Sequence, residues 1–181
     1  MYIKTKQEQK LHAKMLQIVY AILQKHKITT LLTGSALLGI YRDRELRPNC
    51  MGIVLTAFYD EIKPKENDLI RDFKKSGLKI SKHFKNRNFK IRVKKGKLNI
   101  EICGYSKAAH YYYRQLSNKK KIIPIKLLEK PYNDLIFQGI KYQTPKNIEK
   151  YLEFIYNDWK TPVGGRPSPS TYKTSKHMVI I

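Results

Sequence analysis

Between Phe89 and Lys94 the chain alternates apolar and cationic side chains without a break: Phe89, Ile91 and Val93 against Lys90, Arg92 and Lys94. A period of two is the signature of a half-buried strand, here with one apolar face and one basic face. Such a strand needs a core on one side, so the chain must build a sheet. The surrounding segment, residues 71–97, holds 12 Lys/Arg and one acid, Asp72. A face of this kind can lie along a phosphate backbone. The other reading is a solvated edge strand guarded by lysines against edge-to-edge pairing.

The whole chain carries 37 Lys+Arg against 14 Asp+Glu, a formal net charge of +23 over 181 residues. That balance points to a polyanion partner: RNA, DNA or an anionic surface. Lys outnumbers Arg 29 to 8, and Lys, Ile, Asn and Tyr, all with AT-rich codons, make up 72 of the 181 residues. Base composition therefore explains Lys in place of Arg, but not the shortage of carboxylates. With 41% hydrophobic residues and 13 Tyr, global disorder is excluded. No run of 18 apolar residues occurs and the first ten residues lack an apolar core, so neither a membrane span nor a secretory signal is expected. Two cysteines, Cys50 and Cys103, make no disulfide framework and no zinc spacing.

Periodicity predicts a helix over 5–26, with Leu11, Met15, Ile18, Val19, Ile22 and Leu23 on one stripe. A strand over 28–32 leads into a Gly34-Ser35 turn, with Ser35 capping a helix to about Tyr41. Residues 51–58 fit a buried strand and 66–76 a helix closed by Gly77. Three strands follow over 78–84, 88–94 and 97–103, the last two joined by a Lys-Gly turn. Residues 108–116 are expected to be helical. Irregular β-like structure is expected over 122–125 and 135–142, then a helix over 147–158. From 163 to 181 Gly, Pro, Ser and Thr dominate and no acid occurs, which predicts an extended basic tail after a domain spanning 1–162.

Two segments carry a resemblance. LLTGSALLGIYRDRELRP (31–48) resembles the opening motif of the LicD/fukutin family, a Gly-Gly/Ser turn, a Tyr-Arg pair and a Pro before an aspartate cluster. In 122–162, Pro145, Tyr151, Leu152, Tyr156, Asp158, Trp159 and Pro162 are similar to that family's closing pattern. The resemblance covers about residues 8–162. It implies an α/β, nucleotidyltransferase-like mixed sheet flanked by helices, with the extended C-terminal tail beyond it. It also implies an activity: transfer of a phospho-alcohol such as phosphocholine or a polyol phosphate from a CDP-linked donor onto a glycan acceptor, with Mg²⁺ or Mn²⁺. On that model Gly34, Ser35 and Arg42 would bind phosphate, with backbone N–H groups at the turn aimed at it.

The aspartate cluster itself is missing. After Pro48 the sequence reads NCMGIVLT, so Cys50, Met51, Gly52 and Val54 occupy the family's metal-binding positions. Glu101, in LNIEICGY, is the one acid near the family's third position, and one carboxylate does not hold two catalytic metals. Asp43, Glu45, Asp60 and Glu61 flank the strand without the fixed i, i+2 geometry. Glu101 and Cys103 share a strand face that the fold would bring near Cys50; a thiol or metal site is conceivable there, and buried inert cysteines are the simpler reading. Tyr111, Tyr112, Tyr113 and Arg114 could stack bases beside a basic surface, or pack against the strands. His12, His26, His83, His110 and His177 form no ligand or triad spacing.

These observations lead to a non-catalytic expectation: a basic structural or RNA-binding component of a large assembly, an organellar (mitochondrial) ribosome-like ribonucleoprotein first and a virion component next, intracellular, with neighbouring proteins and no resident cofactor. The expected polyanion contacts are Lys79, Lys82, Lys85, Arg87, Lys90, Arg92, Lys94, Lys95, Lys97, Lys119, Lys120, Lys121 and Arg166. The alternative is an active LicD-type transferase using Glu101.

Overall fold

The computed structural model describes residues 4–50, 52–84, 89–115, 119–162 and 178–180. Among the polyanion candidates, Lys85, Arg87 and Arg166 lie outside the described residues, as do His177 and the tail over 163–177.

Helix α1 (Lys6–Lys25) starts at a capping box in which the Thr5 hydroxyl accepts from the Glu8 N–H and Glu8 accepts from the Thr5 N–H. Its stripe of Met15, Leu16, Val19, Ile22 and Leu23 is buried, while Leu11 is exposed and His12 takes the inward position instead. Strand β1 (Thr30–Thr33) runs into α2 (Gly34–Leu38) and a π turn (Gly39–Asp43). β2 (Ile53–Phe58) is followed by α3 (Tyr59–Ile62) and α4 (Glu66–Lys75). Then come β3 (Lys79–Phe84), β4 (Lys90–Lys95) and β5 (Leu98–Lys107). The remainder is β6 (Tyr111–Gln115), β7 (Lys119–Pro124), the hairpin β8 (Asn133–Phe137) and β9 (Ile140–Thr144), α5 (Ile148–Tyr156) and β10 (Met178–Ile180).

Eight strands form one mixed sheet in the order β1-β2-β5-β6-β7-β10, with β4 also on β5 and β3 on β4; β8 and β9 pair separately. β2 and β5 are parallel, from Ile53 opposite Ile100 to Phe58 opposite Tyr105; the other pairs are antiparallel. β5 is ten residues long and serves three neighbours: β2, β4 along its first half, and β6 at Ser106 and Lys107. Ile53, Leu55 and Ala57 alternate with Val54 and Thr56, and Ile100 and Ile102 with Glu101 and Cys103, so each set lines one face. Helices α1 and α4 pack on each other, α1 also on β1 and β5, and α5 on α2.

Several expectations are corrected. Residues 111–115 are a strand, not a helix: the Tyr run suits a pleated, half-buried surface and pairs with β7. The β-like stretch over 122–125 is the end of β7 running into a 3-10 turn at Ile125, and that over 135–142 is the β8–β9 hairpin, turning at Gln138-Gly139. β4 is not an edge strand, because β3 and β5 flank it; its apolar side chains Ile91 and Val93, and Phe89 just before it, are fully buried. The lysines of β4 therefore do not guard an edge. The helix after β1 is not capped by Ser35: Thr33 holds the N-cap position without a side-chain bond, and the Ser35 hydroxyl meets the Cys50 thiol at 3.0 Å. No described helix is long and apolar enough to cross a membrane.

His12 is buried with Nε2 2.9 Å from the Asn99 carbonyl oxygen, and burial pushes its pKa down to about 4. The unfolded chain binds this proton near pH 6.5 and the native state only near 4, so stability should be full above about 6.5 and fall by up to about 3 kcal/mol as the pH drops to about 4. Urea unfolding at pH 7 and pH 4.5 measures this; His12→Gln, which cannot titrate, should flatten the profile.

Candidate functional site

The face of the parallel pair that carries Gly52, Val54, Glu101 and Cys103 is where the family resemblance would put a metal cage, and its geometry can be built residue by residue. Gly34 opens α2 at φ +64°, a left-handed conformation that favours glycine. A Cβ there would stand 3.6 Å from the Val54 Cβ, so the turn sits directly over Val54. Tyr151 of α5 is buried below the turn, hydrogen-bonded to Thr33 and the Gly34 backbone; burial pushes its phenol well up. A Cβ on Gly52 would meet Asn99 Oδ1 at 2.3 Å, so a side chain there requires the Asn99 amide to move.

Glu101 stands beside Val54 in register and opposite Arg92 on β4. Lys90 Nζ lies 3.0 Å from Glu101 Oε2, and Arg92 donates both Nε, at 2.7 Å, and a terminal nitrogen to Oε1. Burial pushes the Glu101 carboxyl up, but Lys90 and Arg92 outweigh it and hold the carboxyl below its ordinary range. A carboxylate so engaged has both oxygens committed to cations. Arg114 reaches the same face from β6, buried, with one terminal nitrogen 2.6 Å from Cys103 Sγ, and its Nε has no hydrogen-bond partner. The site is thus cationic: Lys90, Arg92 and Arg114 around one carboxylate.

The other sequence candidates are dispersed. Ser35 is committed to Cys50, whose thiol also donates to the Gly52 carbonyl. Arg42 binds the Trp159 carbonyl at 2.7 Å and pairs with Asp43, tying the π turn to the end of α5; Trp159 is buried there against Tyr41. Asp43 is also 3.4 Å from Arg47, and Glu61 accepts the Thr29 N–H. Both cysteines are buried and unbridged, each with its own polar contacts. Among the described residues no three His, Cys, Asp or Glu side chains gather as a metal site would need. Of the basic candidates, Lys94 and Lys95 end β4, Lys79 starts β3, Lys97 sits in the β4–β5 turn, and Lys120 and Lys121 lie on β7; Lys82 and Lys119 are placed by backbone only, on β3 and β7.

The Glu101 pairing was missed by sequence reading although a signal existed. A two-residue turn at Gly96-Lys97 puts 95 opposite 98, and counting outward puts 92 opposite 101. The Asn99 filling of position 52 and the burial of Arg114 had no such local signal.

No protein-family model matches the chain, and no curated protein sequence matches it. Solved structures do. The solution structure of the antibiotic-resistance factor ANT(2'')-Ia superposes with a TM-score of 0.56 at 10% identity, covering 91% of this chain and 82% of that one. A nucleotidyltransferase-fold protein from Thermotoga maritima gives 0.51 at 14% identity, covering 80% of this chain and 82% of its own. ANT(2'')-Ia in complex with adenylyl-2''-tobramycin gives 0.50 at 10%, covering 82% and 77%. The chain has a nucleotidyltransferase-like fold.

Two outcomes follow from the site. Glu101→Gln should cost about 1–3 kcal/mol, since it removes the charge that Lys90 and Arg92 pair with, readable from urea midpoints at pH 7. Gly52→Ala should cost about 1–3 kcal/mol by overpacking, and adding Asn99→Ala should recover part of that loss.

Proposed function

We propose that this chain is a nucleotidyltransferase-fold protein without metal-dependent transfer activity, serving as a basic structural component of a large assembly in which RNA is the polyanion. The observation that carries the reading is the exchange of charge at the centre of the fold. Where the LicD/fukutin resemblance puts paired aspartates, Gly52 is packed against Asn99 and Val54 lies under Gly34. The nearest carboxylate, Glu101, is held by Lys90 and Arg92. Phosphoryl-type transfer depends on divalent metals to neutralise charge on the transferred group, and a protein supplies mainly positioning around them. A site of three cations and one engaged carboxylate repels Mg²⁺ or Mn²⁺ rather than gathering it.

The net charge of +23 supports a polyanion partner. Lys94, Lys95, Lys120 and Lys121 remain on strands or strand ends after the Glu101 pairs are subtracted. AT-rich composition together with charge favours an organellar, mitochondrial ribosome-like particle inside the cell, ahead of a virion. In this reading residues 1–162 form the domain and 163–181 a basic tail that contacts neighbouring proteins.

The first test is sedimentation of native extract on a sucrose gradient with and without nuclease. Migration with a heavy particle that nuclease disrupts is the expected result; a heavy particle indifferent to nuclease points to a protein shell. The second is calorimetry with a cytidine nucleotide and Mg²⁺, where no metal-dependent binding is expected. Metal-dependent binding that Glu101→Gln abolishes would restore the alternative, a LicD-type transferase acting from a CDP-linked donor on a glycan.

A further inference from the structure

The β6–β7 ribbon has two unlike faces. Tyr112 and Arg114 of β6 and Ile123 of β7 point to the buried side. Tyr111, Tyr113 and Gln115 of β6, with Lys120, Ile122 and Pro124 opposite them, form the other side, where every residue is at least partly exposed and none is acidic. Tyr111 is 37% exposed. Its ring centroid is 6.2 Å from that of Tyr113 with the planes at 71°, so each ring keeps at least one face not covered by the other. Lys120 Nζ lies 5.6 Å from the Tyr113 centroid, within cation–π range, on a stem long enough to swing to a phosphate.

We propose that this open face is a stacking platform for single-stranded RNA, with Tyr111 and Tyr113 each taking a base and Lys120 a phosphate. The proposal rests on the polyanion reading above and gives it a chemical site. Three observations favour this occupant. Tyrosines at i and i+2 on a strand stand about 6.6 Å apart on one face, a step that an unstacked dinucleotide can span with one base per ring. Among the described residues of the ribbon this face carries a lysine and no carboxylate, which complements a phosphate chain. The ribbon's backbone is already used on its outer side, since β7 pairs with β6 on one edge and β10 on the other. A peptide therefore cannot add as a further strand to β7, and what this face itself offers a partner is its side chains. Duplex RNA keeps its bases stacked on each other and offers none to the rings.

The test uses the full-length protein and a short fluorescein-labelled oligouridylate, read by anisotropy over a salt series. Tyr111→Ala with Tyr113→Ala should weaken binding by about tenfold or more without changing the slope of log Kd against log salt. Tyr111→Phe with Tyr113→Phe, which keeps both rings, should bind as wild type. Lys120→Ala should reduce the slope by about one. Photocrosslinking of the wild-type complex should place uridine on Tyr111 or Tyr113, and reads the site even if the double alanine variant misfolds. Unchanged affinity in a folded double alanine variant, or crosslinks confined to other strands, overturns the platform while leaving a salt-dependent polyanion contact standing. Self-association of the wild type that the double alanine variant abolishes assigns the face to a second copy and also overturns it. Absence of any salt-dependent RNA binding by the wild type overturns the polyanion reading itself.

Discussion

The parallel pairing of β2 with β5 is the constraint on which the rest of the structure depends. Parallel neighbours cannot be joined by a tight turn, so the chain leaves the sheet after Phe58, re-enters it at β3 and reaches β5 only through β4. It spends that crossover on α3, α4, β3 and β4, which supply Ile62, Leu69, Phe73, Phe89, Ile91 and Val93 to the core. The same pairing fixes Val54 beside Glu101 and Thr56 beside Cys103, so one face of the sheet is settled as a unit. β5 then extends past its partners to start the second half of the sheet at Ser106.

Electrostatics on that face follows from register. A lone half-buried carboxylate among strands is costly unless paired, and β4 brings Arg92 directly opposite Glu101, with Lys90 one step along the same face. Pairing consumes two cations of the basic stripe and leaves the local balance positive. The basic run over 71–97 is thus not uniformly presented to solvent: Lys90 and Arg92 serve the fold, Arg71 pairs with Asp68, and Lys74 and Lys75 close α4, where cations suit the helix end.

Local periodicity made much of this legible. The stripe of α1, the alternation of β4, the apolar β2 and the Gly34 turn each announce themselves within a few residues. Where sequence reading failed, the deciding partner was distant. The Tyr111–Gln115 segment is the exception: its partner β7 is the next strand along the chain, but the segment carries no clear period to announce the pairing. His12 displaced Leu11 from the inward face because the Asn99 carbonyl, 87 residues away, satisfies its ring nitrogen. The candidate site was half legible: the missing aspartates are visible in NCMGIVLT, but what fills their place, Asn99 against Gly52 and a buried Arg114 beside Cys103, belongs to tertiary packing.

The packing of Gly52 against Asn99 couples two positions, one just before β2 and one on its neighbour β5. A side chain at 52 meets Asn99 Oδ1 on the neighbouring strand unless that amide moves, whereas position 54 stands beside Glu101 in a site whose three cations outnumber its one carboxylate. Any side chain at 52 must therefore be matched by a smaller residue or a different rotamer at 99, so sequence change at one position constrains the other.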